Sequence, residues 1–377
     1  MTSTPKAPTP RATKKLAELG QSIWLDNITR ELLDSGQLQT YIDDYSVTGL
    51  TSNPSIFDKA IGSGYYDDAI RAKAADGIAA EDLFFELAIE DLRRAADLFL
   101  PIHARTDGLD GWVSLEVSPL LAYDTRKTAK AAKDRYEQAA RRNLLIKIPG
   151  TREGLPAIEE AIAAGVPINV TLLFSADQYR AAADAFMRGV ERRIAAQQDP
   201  VVGSVASVFM SRWDVAVQDQ VPEHLKDGLA IAVGLDVYRV YRELMDSERW
   251  QRLENSGARM QRLLWASTST KDPNAPDDLY VHAFGAPFTV NTVPDATLRA
   301  FYDHGHVPPP MPADGGSSAA TLAEFTSAGV DLDALAGKLQ SDGANSFVAA
   351  WKDLLGHIDS QRAALGAASA LTNEASR

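Results

Sequence analysis

The chain has 377 residues, 45% hydrophobic and 24% charged, enough material for one large core without covalent staples. Its formal net charge of −13 argues against nucleic acid and anionic membranes as partners. Cysteine is absent, which excludes disulfides, thiol nucleophiles and thiolate metal sites and suits a reducing compartment.

The N-terminal ten residues, MTSTPKAPTP, contain no apolar h-region. Residues 1–14 therefore read as a polar flexible tail, and a cytoplasmic location is expected. No apolar run approaches the roughly 18 residues of a membrane span. Beyond the tail, short apolar, β-rich runs recur at 23–25, 47–50, 113–117, 144–148, 168–174, 201–205, 263–265 and 288–290. Helical spacing predicts helices over 79–100, 124–142 and 177–197, the last with Ser175 as its N-cap. Alternating strand and helix signals imply parallel strands with right-handed crossovers. Eight such units predict an α/β fold closed into a (β/α)8 TIM barrel, with additional N- and C-terminal helices.

Residues 270–280 read as a Pro/Asp-rich loop between the seventh and eighth strands. Residues 306–318 form a Pro/Gly-rich linker with four prolines in Pro308-Pro-Pro-Met-Pro312. Helical stretches at 322–329 and 332–365 follow, too short for a separate core, and are expected to pack back onto the barrel. The expected organisation is a single domain over 15–366, with 367–377 a flexible tail.

In such barrels chemistry gathers at the C-terminal ends of the strands. The residues in or beside those ends are polar: Asp26 and Asn27, Thr51 and Asn53, Glu116, Lys147, Asn169 and Thr171, Ser207, and Ser267. Alternation along a strand puts Asn169 and Thr171 on one face, the barrel interior. Lys147 is the anomaly, a charge inside Leu-Leu-Ile-Lys-Ile. It reads as a buried ion pair with Glu116 or Asp26, as a snorkelling strand-edge lysine, or as an amine that burial makes nucleophilic. Asp26 and Glu116, on different strands, could divide acid and base roles or simply pair with Lys147. Arg212 suits bidentate phosphate contacts, although one Arg near a helix start is more often a surface residue. The six histidines lack ligand spacing, so no metal is expected. No P-loop, dinucleotide fingerprint or Gly-x-Ser-x-Gly elbow occurs, and no cofactor is expected.

The ordered strings, more than any one of them, resemble the transaldolase family, in its longer actinobacterial and cyanobacterial form. They are Ile23-Trp-Leu-Asp-Asn27, Val47-Thr-Gly-Leu-Thr-Ser-Asn-Pro-Ser-Ile-Phe57, Val113-Ser-Leu-Glu-Val-Ser-Pro119 and Leu145-Ile-Lys-Ile-Pro-Gly-Thr151. Ile168-Asn-Val-Thr-Leu-Leu-Phe174, Ser204-Val-Ala-Ser-Val-Phe209, Leu264-Trp-Ala-Ser267 and Val290-Asn-Thr-Val-Pro294 continue the set. The resemblance covers about residues 15–365 and implies roles residue by residue. Lys147 matches the Schiff-base lysine, and Asp26 the carboxylate that handles the proton on the hydroxyl beside the bond being cleaved. Glu116 matches the acid/base that works through a water, and Thr171 the hydroxyl that helps hold it. Asn53, Asn169, Thr51 and Phe209 fall at substrate-binding positions. Ser207, Arg212 and Ser267 fall at phosphate-binding ones. Shorter bacterial relatives carry an Arg where Ser269 stands here, which leaves Lys271 as the candidate second cation.

The implied reaction moves a dihydroxyacetone unit from sedoheptulose 7-phosphate to glyceraldehyde 3-phosphate, giving erythrose 4-phosphate and fructose 6-phosphate in the pentose phosphate pathway. Phosphorylated sugars are the expected partners, and the chain is expected to be a monomer or homodimer. The nearest alternative is a fructose 6-phosphate aldolase, where a Gln commonly replaces Glu116 and a Tyr Phe209. A sensing barrel that only binds sugar phosphates would not need Lys147, Asp26 and Glu116 together.

Overall fold

The computed structural model describes residues 11–74 and 77–375. Eight parallel strands close into a barrel in chain order. They are β1 (Ser22–Asp26), β2 (Val47–Thr51), β3 (Val113–Glu116), β4 (Leu144–Pro149), β5 (Ile168–Leu173), β6 (Ser204–Phe209), β7 (Arg262–Ala266) and β8 (Val290–Val293). The fold is the expected (β/α)8 barrel, with an added helix at Ala12–Leu19 and two after β8's own helix, Ser318–Ser327 and Leu332–Ala375. Among the described residues no helix is long and apolar enough to cross a membrane.

Strands buried on both faces read as continuous apolar runs, which is why most were legible. Two were placed wrongly. The sixth begins at Ser204, after the Val201–Val202–Gly203 loop, and runs through Ser207 to Phe209, all six positions buried. Ser207 bonds Asn169 inside the barrel, so its polarity marks the interior face and not a strand end. The eighth begins at Val290; Phe288 is 56% exposed, with a left-handed φ of 61°, and the polar Asn291 and Thr292 belong to the strand.

Helices follow the expected pattern with shifted ends: Ala80–Arg105, Thr125–Ala139 and Ala176–Ala195. Ser175 caps the last, accepting from the Gln178 amide at 3.2 Å. Of the tails expected at 1–14 and 367–377, residues 1–10, 376 and 377 lie outside the described residues. Ala12 and Thr13 instead begin a helix whose apolar stripe, with Leu16, is buried on the core. The final helix continues past Leu365 to Ala375 through an alanine-rich stretch of high helix propensity.

Two features shape the barrel interior. Trp24 on β1 fills it opposite Gly49 on β2, where an added Cβ would lie 2.6 Å from the indole. At the N-terminal end Arg262 donates to Ser22 Oγ (2.6 Å), the Thr289 carbonyl (2.8 Å) and the Leu109 carbonyl (3.2 Å). That guanidinium plugs the bottom of the barrel and leaves the opposite mouth for chemistry. The C-terminal helix crosses that mouth: Trp351 stands edge-on to Phe84 (4.9 Å) and Phe347 faces Phe209 (6.5 Å).

Candidate active site

Strand register brings the polar positions together. Glu116 on β3 pairs with Lys147 on β4, and Lys147 pairs with Asn169 on β5. Inward-facing positions of three adjacent strands therefore carry an acid, an amine and an amide.

Lys147 is buried, and its Nζ donates to the Ser52 carbonyl at 3.0 Å. No carboxylate lies within 4.0 Å of it among the described residues, so the buried ion pair is not formed. Burial also rules out the snorkelling arrangement. The Ser52 hydroxyl in turn donates to the Ser114 carbonyl at 2.8 Å, tying the β2 loop to β3 beneath the amine.

Glu116 is buried and neither carboxylate oxygen has a hydrogen-bond partner among the described residues. Burial pushes its carboxyl up to about 7; Lys147 pulls it back and Asp26 adds to the rise. Such a group can give and take protons near neutrality. Asp26, half-buried at the end of β1, accepts from Thr51 Oγ1 at 2.7 Å, and that hydroxyl also meets Thr292 Oγ1 at 2.7 Å. The two carboxylates thus differ in environment, one orphaned in the interior and the other hydrogen-bonded at the rim.

Asn169 and Ser207 act as a pair. Asn169 Nδ2 donates to Ser114 Oγ at 3.1 Å, and its Oδ1 accepts from Ser207 at 2.7 Å. Ser207 therefore sits at the depth of Asn169, on the strand, apart from the Ser211–Ser267 contact at the mouth. Thr171 Oγ1 is buried without a partner among the described residues. Asn53 caps the helix Pro54–Ile61, accepting from the Ile56 amide at 3.1 Å. Its Nδ2 donates to no described residue. Asn27 Nδ2 donates to Asp295 at 3.2 Å.

At the mouth, Arg212 is half-buried and has no carboxylate within 4.0 Å among the described residues. Its guanidinium carbon stands 5.3 Å from the Phe209 ring centroid. Burial lowers its pKa, and Asp342 partly opposes that. Ser267, with a left-handed φ of 55°, places its hydroxyl 2.9 Å from that of Ser211. Lys271 is exposed, and its Nζ donates to Ser269 Oγ at 2.6 Å. A separate cavity of about 730 Å³ opens at the N-terminal end, where Arg259 and Arg262 already face Asp107 and Asp110.

Sequence reasoning missed Ser52, Ser114, Ser211 and Thr292. Ser114 precedes Glu116 by two, the strand period, and could have been found that way. Ser52 contributes a backbone carbonyl, which no side-chain pattern reveals.

The family profile described as "Transaldolase/Fructose-6-phosphate aldolase" matches residues 23–358. The chain belongs to the transaldolase family. It is similar to "Transaldolase" of Arthrobacter sp. (strain FB24), 43% identical over 357 residues that cover 92% of this chain and 96% of the relative. It is likewise similar to "Transaldolase" of Thermobifida fusca (42% over 361 residues, covering 93% and 98%). "Transaldolase 2" of Nostoc punctiforme is 39% identical over 366 residues, covering 92% and 96%. This transaldolase-family enzyme thus shares both the length and the actinobacterial and cyanobacterial likeness expected from its motifs. The profile spans aldolases as well, whereas the relatives named here are all transaldolases.

Proposed function

We propose that the enzyme transfers a dihydroxyacetone unit from sedoheptulose 7-phosphate to glyceraldehyde 3-phosphate, within the pentose phosphate pathway and in the cytoplasm, through an imine on Lys147. The observation that carries this reading is a buried lysine with no ion pair among the described residues, in register between the buried Glu116 carboxyl and Asn169.

The amine adds to the ketone carbonyl of the donor, and the carbinolamine loses water to give a protonated imine. Glu116 exchanges the protons of that dehydration through a water, which Thr171 Oγ1 would help to hold. Asp26 takes the proton from the hydroxyl on the far carbon of the bond to be broken, the carbon that becomes the aldehyde. That bond then cleaves, its electron pair moves into the imine, and erythrose 4-phosphate leaves as the aldehyde. The enamine left on Lys147 attacks the aldehyde carbon of glyceraldehyde 3-phosphate, and Asp26 returns its proton to the new hydroxyl. Hydrolysis of the imine releases fructose 6-phosphate. Asn53, Thr51, Asn169 and Ser207 would hold the sugar hydroxyls, and Phe209 would wall the mouth. Arg212 and Ser267 would hold the phosphate, with Lys271 as the second cation.

Borohydride reduction in the presence of fructose 6-phosphate, followed by peptide mass spectrometry, tests the reading. An adduct on Lys147, and none in Lys147→Ala, is expected. Full activity in Lys147→Ala would overturn it.

A further inference from the structure

We propose that Gln340, on the C-terminal helix, is a positioning residue that clamps the ends of β4 and β5 and so aims Thr171 at the interior. This rests on the roles given above to Lys147 and Thr171.

Between Val170 and Leu173 the β5 chain takes three steps while its partner β6 takes two, from Ala206 to Val208. One extra residue is therefore absorbed there, as a bulge does. Leu172 carries it, with a left-handed φ of 59° that a non-glycine residue adopts at a cost of about 1–2 kcal/mol. Something must hold this turn, and the contacts name it. Gln340 Nε2 donates to the Leu172 carbonyl at 2.9 Å and to the Gly150 carbonyl at 3.1 Å. The Gly150 amide in turn donates to the Thr171 carbonyl at 2.7 Å. One side-chain amide thus ties together the strand ends that follow Lys147 and Thr171.

The helix cannot ride higher without breaking these bonds, and its fit is close. Three residues on, an added Cβ at Gly343 would lie 2.9 Å from Leu172 Cδ2 and 3.0 Å from Arg212 Nη1, so a side chain there would have to push both of those side-chain ends aside. Gln340 touches none of the reacting groups itself. Its influence passes through Leu172 to the adjacent Thr171, whose buried hydroxyl has no partner among the described residues. Bulges beside active sites re-aim a side chain in this manner.

The test compares Gln340→Met, which keeps the length and loses the donor, with Gln340→Lys, which keeps a donor. Gln340→Met should lower kcat about tenfold while KM for fructose 6-phosphate stays within about twofold, because misplacement of a reacting group costs rate before it costs affinity. Gln340→Lys should recover kcat to within about threefold of the parent. In a Thr171→Ala background, Gln340→Met should add less than about twofold, since residues acting through one group are non-additive. An unchanged kcat in Gln340→Met overturns the proposal. So does a full additive loss on top of Thr171→Ala, or failure of Gln340→Lys to recover activity while folded by circular dichroism. Lys147→Ala separates the two readings. If it is inactive while Gln340→Met is normal, only the clamp fails; if it is fully active, the site assignment fails with it.

Discussion

Glu116 shows how one buried side chain couples stability and chemistry to pH. Its carboxyl rises from an ordinary 4.5 to about 7, chiefly by burial. A group whose folded value lies above its unfolded one favours the fold when protonated. The contribution is therefore fully present below about 4.5, shrinks between 4.5 and 7, and is gone above 7. Glu116→Gln, which cannot ionise, should gain on the parent as pH rises, by about 3 kcal/mol from pH 4.5 to pH 8. Thermal unfolding of both proteins across that range reads the difference, and a flat difference contradicts the assigned burial cost. The same substitution should remove a limb near pH 7 from the kcat/KM profile and lower the rate about 100-fold. A limb that persists in Glu116→Gln belongs to another group.

Arg212 makes a second residue-scale case. It lies half-buried over Phe209 without a carboxylate partner among the described residues, an arrangement that leaves its donors for a ligand. Arg212→Ala should raise KM for fructose 6-phosphate by about 10- to 100-fold, the worth of one or two charge-assisted hydrogen bonds. It should leave turnover of unphosphorylated dihydroxyacetone nearly unchanged. Lys271→Ala should act in the same direction but more weakly, because an exposed ammonium is screened. Equal effects on both substrates would take these residues out of the phosphate site.

At the scale of the element, what could be read depended on which physical signal wrote the pattern. Strands buried on both faces, such as Leu144–Pro149, appear as apolar runs, and Lys147 stood out against one. Alternation then put Asn169 and Thr171 on the interior face, where the bonds of Asn169 and the burial of both side chains are found. The sixth and eighth strands were misplaced because their inward faces carry Ser207 and Thr292, which look like loop residues until hydrogen bonding is known. Apolar loop residues such as Val201 and Phe288, both well exposed, drew the boundaries outward. Ser207 was grouped with Arg212 as a phosphate ligand because the sequence shows adjacency along the chain and not depth in the barrel, where Ser207 bonds Asn169. Leu172 left no trace, since nothing in its side chain announces a left-handed backbone. Gly49 is the legible converse, a small residue opposite a large one. Gly49→Ala would force the Trp24 indole aside at a contact of 2.6 Å and should cost about 1–3 kcal/mol, as overpacking of a rigid interior does. Denaturant unfolding measures this; an unchanged midpoint would show that Trp24 can move freely.

At the scale of the molecule, the barrel and its C-terminal helix solve different problems. The barrel fixes strand register, and with it the spacing of Glu116, Lys147 and Asn169. The helix Leu332–Ala375 closes over the mouth, touching the loops after β2, β3 and β5 at once. Its anchor lies away from the chemistry: Trp351 is buried against Phe84 and Phe85, with ring centroids 4.9 and 5.6 Å away. Removing that indole opens a large cavity, and Trp351→Ala should cost about 3–5 kcal/mol. Because the anchor and the mouth contacts of Gln340 and Phe347 share one rigid rod, the loss should also reach the site. Amide exchange should quicken first at the C-terminal helix, while the barrel strands keep their protection, and kcat should fall with it. If exchange instead accelerates equally in helix and strands, the helix is part of the barrel's own cooperative unit and does not cover the mouth as a separate element.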